Sequence, residues 1–351
     1  MDYVLSRAPH RVSLGSSADT LYFLNLIEWG NGLSFAISRY VYCLITINSG
    51  GVCVNSSIAT GKFYNNISEI TGKKSERPIG IIENAIRYFN EIFDLEERLK
   101  REGIKGLTIT TTTDVPPESG LGGSASNTVA VILALSRLCG IKIERYDVAQ
   151  MAYTIERSEK YMGITGGIQD QVAAVYGGIN YMIFRKGDKN EIDFSVTPIS
   201  EFSEFSIENL LLIRIPREKD GKDIHILQEE KSIIDPETTR RVLEEKRANV
   251  ARMYNLCQNP SQIEMLGELF LKDNELKTRL GDVQTENTRR IFEIALENGA
   301  LGGRIIGAGK GGSIIFYCED KQRVLNSLRD FNVMKIDFDI DREGAKIIGE
   351  G

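Results

Sequence analysis

Three glycines within four residues, Gly120, Gly122 and Gly123, lie in the run Pro116-Pro117-Glu118-Ser119-Gly120-Leu121-Gly122-Gly123-Ser124-Ala125-Ser126. The run joins a segment that reads as a strand to one that reads as a helix. Glycine lets the backbone turn tightly and bring N–H groups up to an anion. A helix that starts there adds unpaired amides and the positive end of its dipole. The pattern is that of a phosphate cradle, although a bare strand–helix connection would use the same residues. It is not a lysine-bearing phosphate loop, because no Gly-Lys-Ser/Thr follows.

Three other segments could act beside it. In Arg7-Ala8-Pro9-His10-Arg11-Val12-Ser13-Leu14-Gly15, a cation at the end of a strand can reach a phosphate or a reacting hydroxyl. Alone, such an arginine pair is more often a surface feature. In Gly166-Gly167-Ile168-Gln169-Asp170-Gln171, with Glu156-Arg157 upstream, a carboxylate follows a glycine turn and opens a helix. An isolated Asp there usually does no more than complement the helix dipole. From Leu301 to Ser313, six glycines fall within eleven residues, the mark of a backbone in positive φ or in close approach to something.

The elements that must hold these residues follow from periodicity. Residues 2–14 read as a strand entering a small-residue turn, Gly15 to Asp19. Alternation of β-branched and aromatic side chains predicts strands over 33–48 and 106–114. Helical spacing over 79–101 puts Ile82, Ile86, Phe89, Ile92 and Phe93 on one face. Helices are expected over 124–138 (stopped by Gly140), from about 145 to 161, and over 169–176 (ended by Gly177-Gly178). Strands interrupted by a polar hairpin at 186–190 fill 179–215. The charged stretch 217–262 reads as helix with a mostly solvated face, and 286–299 as another helix. Leu301 to Cys318 reads as glycine turn, strand, glycine turn, strand.

Bulk properties narrow the function. A chain of 351 residues, 42% hydrophobic and 26% charged, is ordinary for a globular protein of two domains; the softest boundary lies near 186–207. A net charge of −6 gives no electrostatic case for a nucleic-acid or membrane partner. No stretch approaches the length of a membrane span, and the N-terminus lacks the pattern of a signal peptide. Five scattered cysteines without a Cys-x-x-Cys pair fit free thiols in a reducing cytoplasm better than zinc or disulfides. Two histidines, His10 and His225, leave little room for a histidine-based triad or metal site.

In combination the motifs resemble those of the GHMP kinase superfamily: Ala8-Pro9-His10-Arg11 near the start, Pro116 to Ala125 in the middle, and Gly307-Ala308-Gly309-Lys310-Gly311-Gly312 near the end. Within it the pattern is most similar to the D-glycero-D-manno-heptose 7-phosphate kinase group, with fucokinase as a cousin. That group reads Arg-Ala-Pro-Leu-Arg-Ile-Ser near its start and Gly-Gly-Lys-Gln-Asp-Gln before a helix. It also reads Gly-Ala-Leu-Gly-Gly-Lys where this chain has Gly299-Ala300-Leu301-Gly302-Gly303-Arg304.

The resemblance implies an α+β, two-domain GHMP kinase fold: a ribosomal protein S5 domain 2-like unit over 1–200 and a ferredoxin-like unit over 201–351. It implies ATP with Mg²⁺, held by Pro117, Glu118, Ser119, Gly120, Leu121, Gly122, Gly123, Ser124, Ala125 and Ser126, with the amides of Gly120 to Ser126 on the triphosphate. Ser124 and Glu156 would hold the metal, which suits a hard, largely hydrated ion. Asp170 would take the proton of the acceptor hydroxyl and Arg11 would stabilise the charge that develops. Asp19, Gly167, Gln169 and Gly309 would line the acceptor.

The acceptor implied is a small-molecule sugar or sugar phosphate, a heptose 7-phosphate first and an unphosphorylated sugar second. Arg7, Arg217, Lys219, Lys222 and Lys231 are the cations available for its phosphate. The chain departs from the pattern in the shorter Gly15 to Thr20 turn, in Gly123 for a serine, and in Lys310 for a glycine. Lys310 would cover a phosphate or point to solvent.

Overall fold

A computed structural model describes residues 2–70, 78–188, 191–200, 207–217, 224–281 and 283–351. The strands in chain order are β1 (Tyr3–Ser16), β2 (Trp29–Asn48), β3 (Gly51–Ser56), β4 (Ala59–Tyr64), β5 (Gly106–Thr113), β6 (Ile179–Lys186) and β7 (Ile192–Pro198), then β8 (Leu210–Ile215), β9 (Ala300–Ile306), β10 (Gly312–Cys318), β11 (Met334–Lys335) and β12 (Lys346–Glu350). The first sheet runs β12-β1-β2-β5-β3-β4, with β6 on β2 and β7 on β6; the second runs β11-β8-β10-β9. Among the described strands only β3 and β5 pair in parallel. The last strand returns to β1, so the chain crosses back over the division expected near residue 200.

β2 is the spine. Its first part, Trp29–Phe35, pairs with β6, and its second, Val41–Asn48, with β5. Along the other edge it holds β1 in antiparallel register, which sets Arg11 at the centre of the sheet.

The helices are α1 (Leu21–Leu24), α2 (Ile79–Phe93), α3 (Leu95–Arg101), α4 (Gly123–Leu138), α5 (Arg145–Arg157), α6 (Gln169–Tyr176), α7 (Ile224–Ile234), α8 (Pro236–Gln258), α9 (Leu266–Leu280), α10 (Glu286–Glu297) and α11 (Lys321–Ser327). α4 packs on β1, β2, α2, α5 and α6. Twelve of its sixteen residues are buried, so it shows no apolar stripe of the kind a surface helix has. The helix expected over 79–101 is two helices. Asp94 takes a left-handed φ of 52° between α2 and α3, and Ile92 points to solvent. The helix expected to reach residue 161 ends at Arg157, where Ser158 is extended. The charged stretch divides at Asp235, whose carboxylate caps α8 through Thr238 N with Pro236 at the first position. β3 and β4 carry no strand signal in the sequence reading above, and Gly302 and Gly303 lie inside β9 rather than in a turn.

The two sheets share a core. Val12, Leu14, Leu33, Phe35 and Ile37 of β1 and β2 pack with Leu210, Leu212, Ile315 and Tyr317 of the second sheet and with Val250, Met253 and Phe270 of α8 and α9. Fully burying a side chain of this size contributes about 1.5–3 kcal/mol. This shared core locks the end of β1 against the second sheet, where the glycine-rich segments meet.

Candidate functional site

The loop from Pro116 to Gly122 coils because Glu118, Gly120 and Gly122 all adopt positive φ (62°, 75° and 75°). A Cβ on Gly120 would lie 3.0 Å from the Ile306 carbonyl, and one on Gly307 would lie 2.8 Å from the Gly120 carbonyl. The two glycine-rich turns therefore touch backbone to backbone. Ser313 Oγ donates to the Ser119 carbonyl at 2.7 Å and fixes the contact.

Gly122 then starts α4, and no side chain caps the helix. Its first-turn amides, at Gly123, Ser124 and Ala125, are the unpaired donors of a helix N-terminus. Ser126 is a correction to the expected amide set: its N–H donates to the Gly122 carbonyl at 3.0 Å and its hydroxyl to the Pro9 carbonyl at 2.8 Å. A cavity of about 590 Å³ runs along this loop, lined by Pro117 to Gly120 and by Gly122 to Ser124. Leu121 and Ala125 are buried and do not face it.

Arg11 and Asp170 meet beside Gly122. Arg11 Nε and Nη2 lie 2.8 and 2.6 Å from Asp170 Oδ1, and Nη1 donates to the Gly120 carbonyl at 2.8 Å. A Cβ on Gly122 would come within 3.3 Å of Arg11 Cγ and 3.5 Å of Asp170 Oδ2, so the loop lies directly against the pair, in a positive φ (75°) that favours glycine. Asp170 is about a quarter exposed (28%) while Arg11 is buried (5%), and both line the cavity, with Asp170 Oδ2 left without a contact to Arg11.

Farther along the loop, Ser124 Oγ donates to Glu156 Oε2 at 2.6 Å, and Gln171 Nε2 donates to Glu156 Oε1 at 2.8 Å. Glu156 is almost wholly buried (1%), with Arg157 Nη1 at 3.9 Å. A hydroxyl and a carboxylate side by side at the cradle are hard oxygen donors. They fit a magnesium ion whose other ligands are phosphate oxygens and water.

Beneath the loop, His10 is fully buried between the Leu121 carbonyl (Nδ1, 3.3 Å) and Thr113 Oγ1 (Nε2, 3.0 Å). The carbonyl can only accept, so Nδ1 carries the proton. Burial lowers the His10 pKa to about 4, with Arg11 pushing the same way against the Leu121 hydrogen bond.

On the other side of Asp170, Asp19 Oδ2 accepts from Gln169 N at 3.3 Å, and a Cβ on Gly167 would fall 2.0 Å from that oxygen. Burial raises the Asp19 pKa to about 6, helped by the charge of Asp170. Asp19, Gly167 and Gln169 line the cavity as expected, and Arg157, unassigned in the sequence reading, lines it too. Arg157 Nε and Nη2 donate to the Gly167 carbonyl.

Other expectations fail. Gly309 packs on Val283 and does not line the cavity. Lys310 has φ 55° and donates its amide to Val283 O at 2.8 Å, so its backbone closes the second turn. Arg7 pairs with Glu343 and Asp341 and stacks on Tyr40, and Lys231 Nζ donates to the Arg279 carbonyl. Arg217 does line the cavity; Lys219 and Lys222 lie outside the described residues. The buried cations at the cavity are instead Lys246, Lys277 and Arg304. No sequence signal marks the two lysines: Lys246 sits in the charged stretch that reads as a solvated helix, and Lys277 falls outside the expected elements.

The chain matches the models for the GHMP kinases N terminal domain over residues 81–178 and for the GHMP kinases C terminal domain over 253–333. It is 26% identical, over 99% of both chains, to the D-glycero-alpha-D-manno-heptose 7-phosphate kinase of Campylobacter jejuni. It is 29% identical, over 78% of both, to a mevalonate kinase of Thermococcus sibiricus. Among solved structures, a D-glycero-D-manno-heptose 1-phosphate kinase from Bacteriodes thetaiotaomicron superposes with a TM-score of 0.76 at 23% identity over 99% of both chains. Lactococcus lactis galactokinase in complex with galactose does so with a TM-score of 0.75 at 17% identity, over 99% of this chain and 95% of that one.

Proposed function

The chain belongs to the GHMP kinase family, small-molecule kinases that use ATP with Mg²⁺ to phosphorylate an alcohol, and on that footing we propose that it phosphorylates the anomeric hydroxyl of a sugar phosphate, a heptose 7-phosphate. The observation that carries the catalytic part is the arrangement around Gly122. The Arg11–Asp170 pair touches it on one side, and two residues on, Ser124 meets Glu156.

The residues divide the work as follows. The amides of Gly123 and Ser124 receive phosphate oxygens at the positive end of α4. Ser124 and Glu156 would hold magnesium, which when bound would offset phosphate charge. Asp170 Oδ2 takes the proton of the acceptor hydroxyl as its oxygen attacks the γ-phosphorus, and the bond to the β–γ bridging oxygen breaks to release ADP. Arg11 keeps Asp170 in position from Oδ1 and lends positive charge to the transferring group. Asp19, Gln169 and Arg157 bound the acceptor side. A non-catalytic relative would have no chemical use for this set in one geometry.

Support for the acceptor comes from the match to a heptose 7-phosphate kinase at 26% identity over 99% of both chains; a mevalonate kinase matches at 25% identity over 98% of both, so mevalonate is the acceptor to test against it. The shorter Gly15 to Thr20 turn favours an unphosphorylated sugar as the second reading. A panel of sugars and sugar phosphates, with mevalonate and homoserine, assayed for ADP release is the test. The heptose 7-phosphate is expected to give the highest kcat/KM, and a higher value for mevalonate or homoserine would refute the sugar reading.

A further inference from the structure

Part of the cavity wall carries three cations that phosphoryl transfer as derived above does not use: Lys246 of α8, Lys277 of α9 and Arg304 of β9. All three are buried, with 3%, 9% and 4% of their surfaces exposed. Asp273 is the carboxylate that contacts Lys246 and Arg304, and buried Asp19 adds its field at Lys246. Asp273, itself fully buried, takes Lys246 Nζ on Oδ1 at 2.7 Å and Arg304 Nη2 on Oδ2 at 3.1 Å. Arg304 Nη1 also donates to the Ser13 carbonyl at 3.0 Å, at the end of β1. Lys277 Nζ donates to two backbone carbonyls, Ile305 at 3.3 Å and Gly307. With all three protonated, buried positive charge exceeds buried negative charge within the cluster, which is unfavourable without a counter-ion; burial and that excess are why Lys277 gives up its proton more easily than a free lysine.

Two further observations point to a ligand. Arg304, which lines the cavity, has a buried Nε with no hydrogen-bond acceptor, and Asp273 Oδ2, which Arg304 Nη2 approaches at 3.1 Å, has no donor in hydrogen-bond geometry, so the pair leaves a cation only partly satisfied at the wall. Burial also drives the Lys277 ammonium well below the usual lysine range, and Arg304 and Lys246 drive it the same way. A lysine that only anchored the Gly307 turn would have no reason to sit among like charges at a cavity wall. Arg11 adds to the repulsion on both Lys277 and Arg304, so the cluster adjoins the catalytic pair.

We propose that Lys246, Lys277 and Arg304, fixed by Asp273, form the seat of a phosphate monoester on the acceptor, placed so that the acceptor's hydroxyl meets Asp170. The assignment rests on the kinase reading above and identifies how that site selects its substrate. A phosphate dianion neutralises more of the excess charge than a carboxylate does, and its three terminal oxygens can accept from several directions at once. A neutral sugar would leave the cations uncompensated.

The test compares kcat/KM for D-glycero-D-manno-heptose 7-phosphate, the same heptose without phosphate, and mevalonate, in the wild type and in Lys246→Met, Lys277→Met and Lys277→Arg. The wild type is expected to prefer the phosphorylated heptose. Each Met substitution should lower its kcat/KM by roughly a hundredfold, mainly through KM, and collapse the preference over free heptose; Lys277→Arg should restore part of it. Equal losses on phosphorylated and free heptose, or a wild type indifferent to the phosphate, would overturn the assignment, as would mevalonate as best acceptor. If the variants fail to fold, calorimetry on the wild-type protein with a non-hydrolysable ATP analogue decides. Heptose 7-phosphate must bind at least about tenfold more tightly than free heptose, the least that one charge-assisted hydrogen bond provides. Asp170→Asn keeps the two readings apart: turnover surviving there removes the kinase assignment of Asp170, whereas a lost phosphate preference with Asp170 essential removes only the seat.

Discussion

Arg11 grips one oxygen of Asp170 and leaves the other open: Nε and Nη2 both lie on Oδ1, at 2.8 and 2.6 Å, while Oδ2 faces Gly122. An ion pair that served only stability would use both carboxylate oxygens in a fork. The one-sided contact suits a carboxylate that must be held still and still accept a proton.

Asp170→Asn is therefore expected to lower kcat by about 10²–10⁴-fold with ATP affinity nearly unchanged, since the amides of α4, not Asp170, receive the triphosphate. Steady-state turnover and nucleotide titration read the two effects separately. Retention of more than about a tenth of wild-type kcat, well short of a general base's usual contribution, would reduce Asp170 to a helix-end carboxylate.

Magnesium dependence should separate the next pair. Ser124→Ala removes a neutral ligand and Glu156→Gln a charged one, so both should raise the magnesium concentration for half-maximal rate, the second more strongly. Rates measured across a magnesium series check this. Unchanged curves for both variants would take these residues out of the metal shell.

His10 makes the fold acid-sensitive. Its pKa is about 4 when folded against the ordinary value of 6.5, so well above pH 6.5 both states are neutral and the effect vanishes. As pH falls from 6.5 toward 4, the unfolded chain takes up a proton that the native state refuses, and stability is lost, by up to about 2–3 kcal/mol. His10→Leu should flatten that part of the stability–pH curve in denaturant titrations. A slope equal to wild type would show that His10 is not the group responsible.

Asp19 acts in the opposite sense. Its pKa is raised to about 6 from the ordinary value of 3.8, so the native state binds the extra proton, and the stabilisation this brings is full below 3.8 and lost as pH rises through 6. Asp19→Asn should raise the unfolding temperature at pH 7–8, by an amount equivalent to on the order of 1–2 kcal/mol, with no gain at pH 4. The same variant should raise KM for the acceptor. An unfolding temperature that rises equally at both pH values would exclude Asp19 as the titrating group.

The glycine loop, the helix after it and the strand before it were legible because each rests on local chemistry. Gly120 and Gly122 announce positive φ, and the apolar run from Ala125 to Leu138 announces a buried helix. The Asp170–Arg11 partnership was open to resemblance alone, since nothing local at either residue points to the other. β3 and β4 escaped notice because they are short and β4 is largely exposed, leaving no alternation to see. The break at Asp94 escaped because a left-handed residue other than glycine carries no compositional flag.

The sequence by itself therefore determined the cradle, the order of the motifs and the residue types available for phosphoryl transfer, because backbone conformation and amphipathic period are properties of neighbouring residues. Only the tertiary structure decided which cations matter to the acceptor. Lys246, Lys277 and Arg304 come from three elements brought together around Asp273, and in the sequence Lys246 sits in a charged stretch that looks like solvated surface while Lys277 falls outside the expected elements. Arg7 and Lys231, which looked available, are drawn to Glu343 and to the Arg279 carbonyl instead. Whether a charge is buried without its counter-ion depends on what packs over it, and packing is set by contacts between residues far apart in the chain.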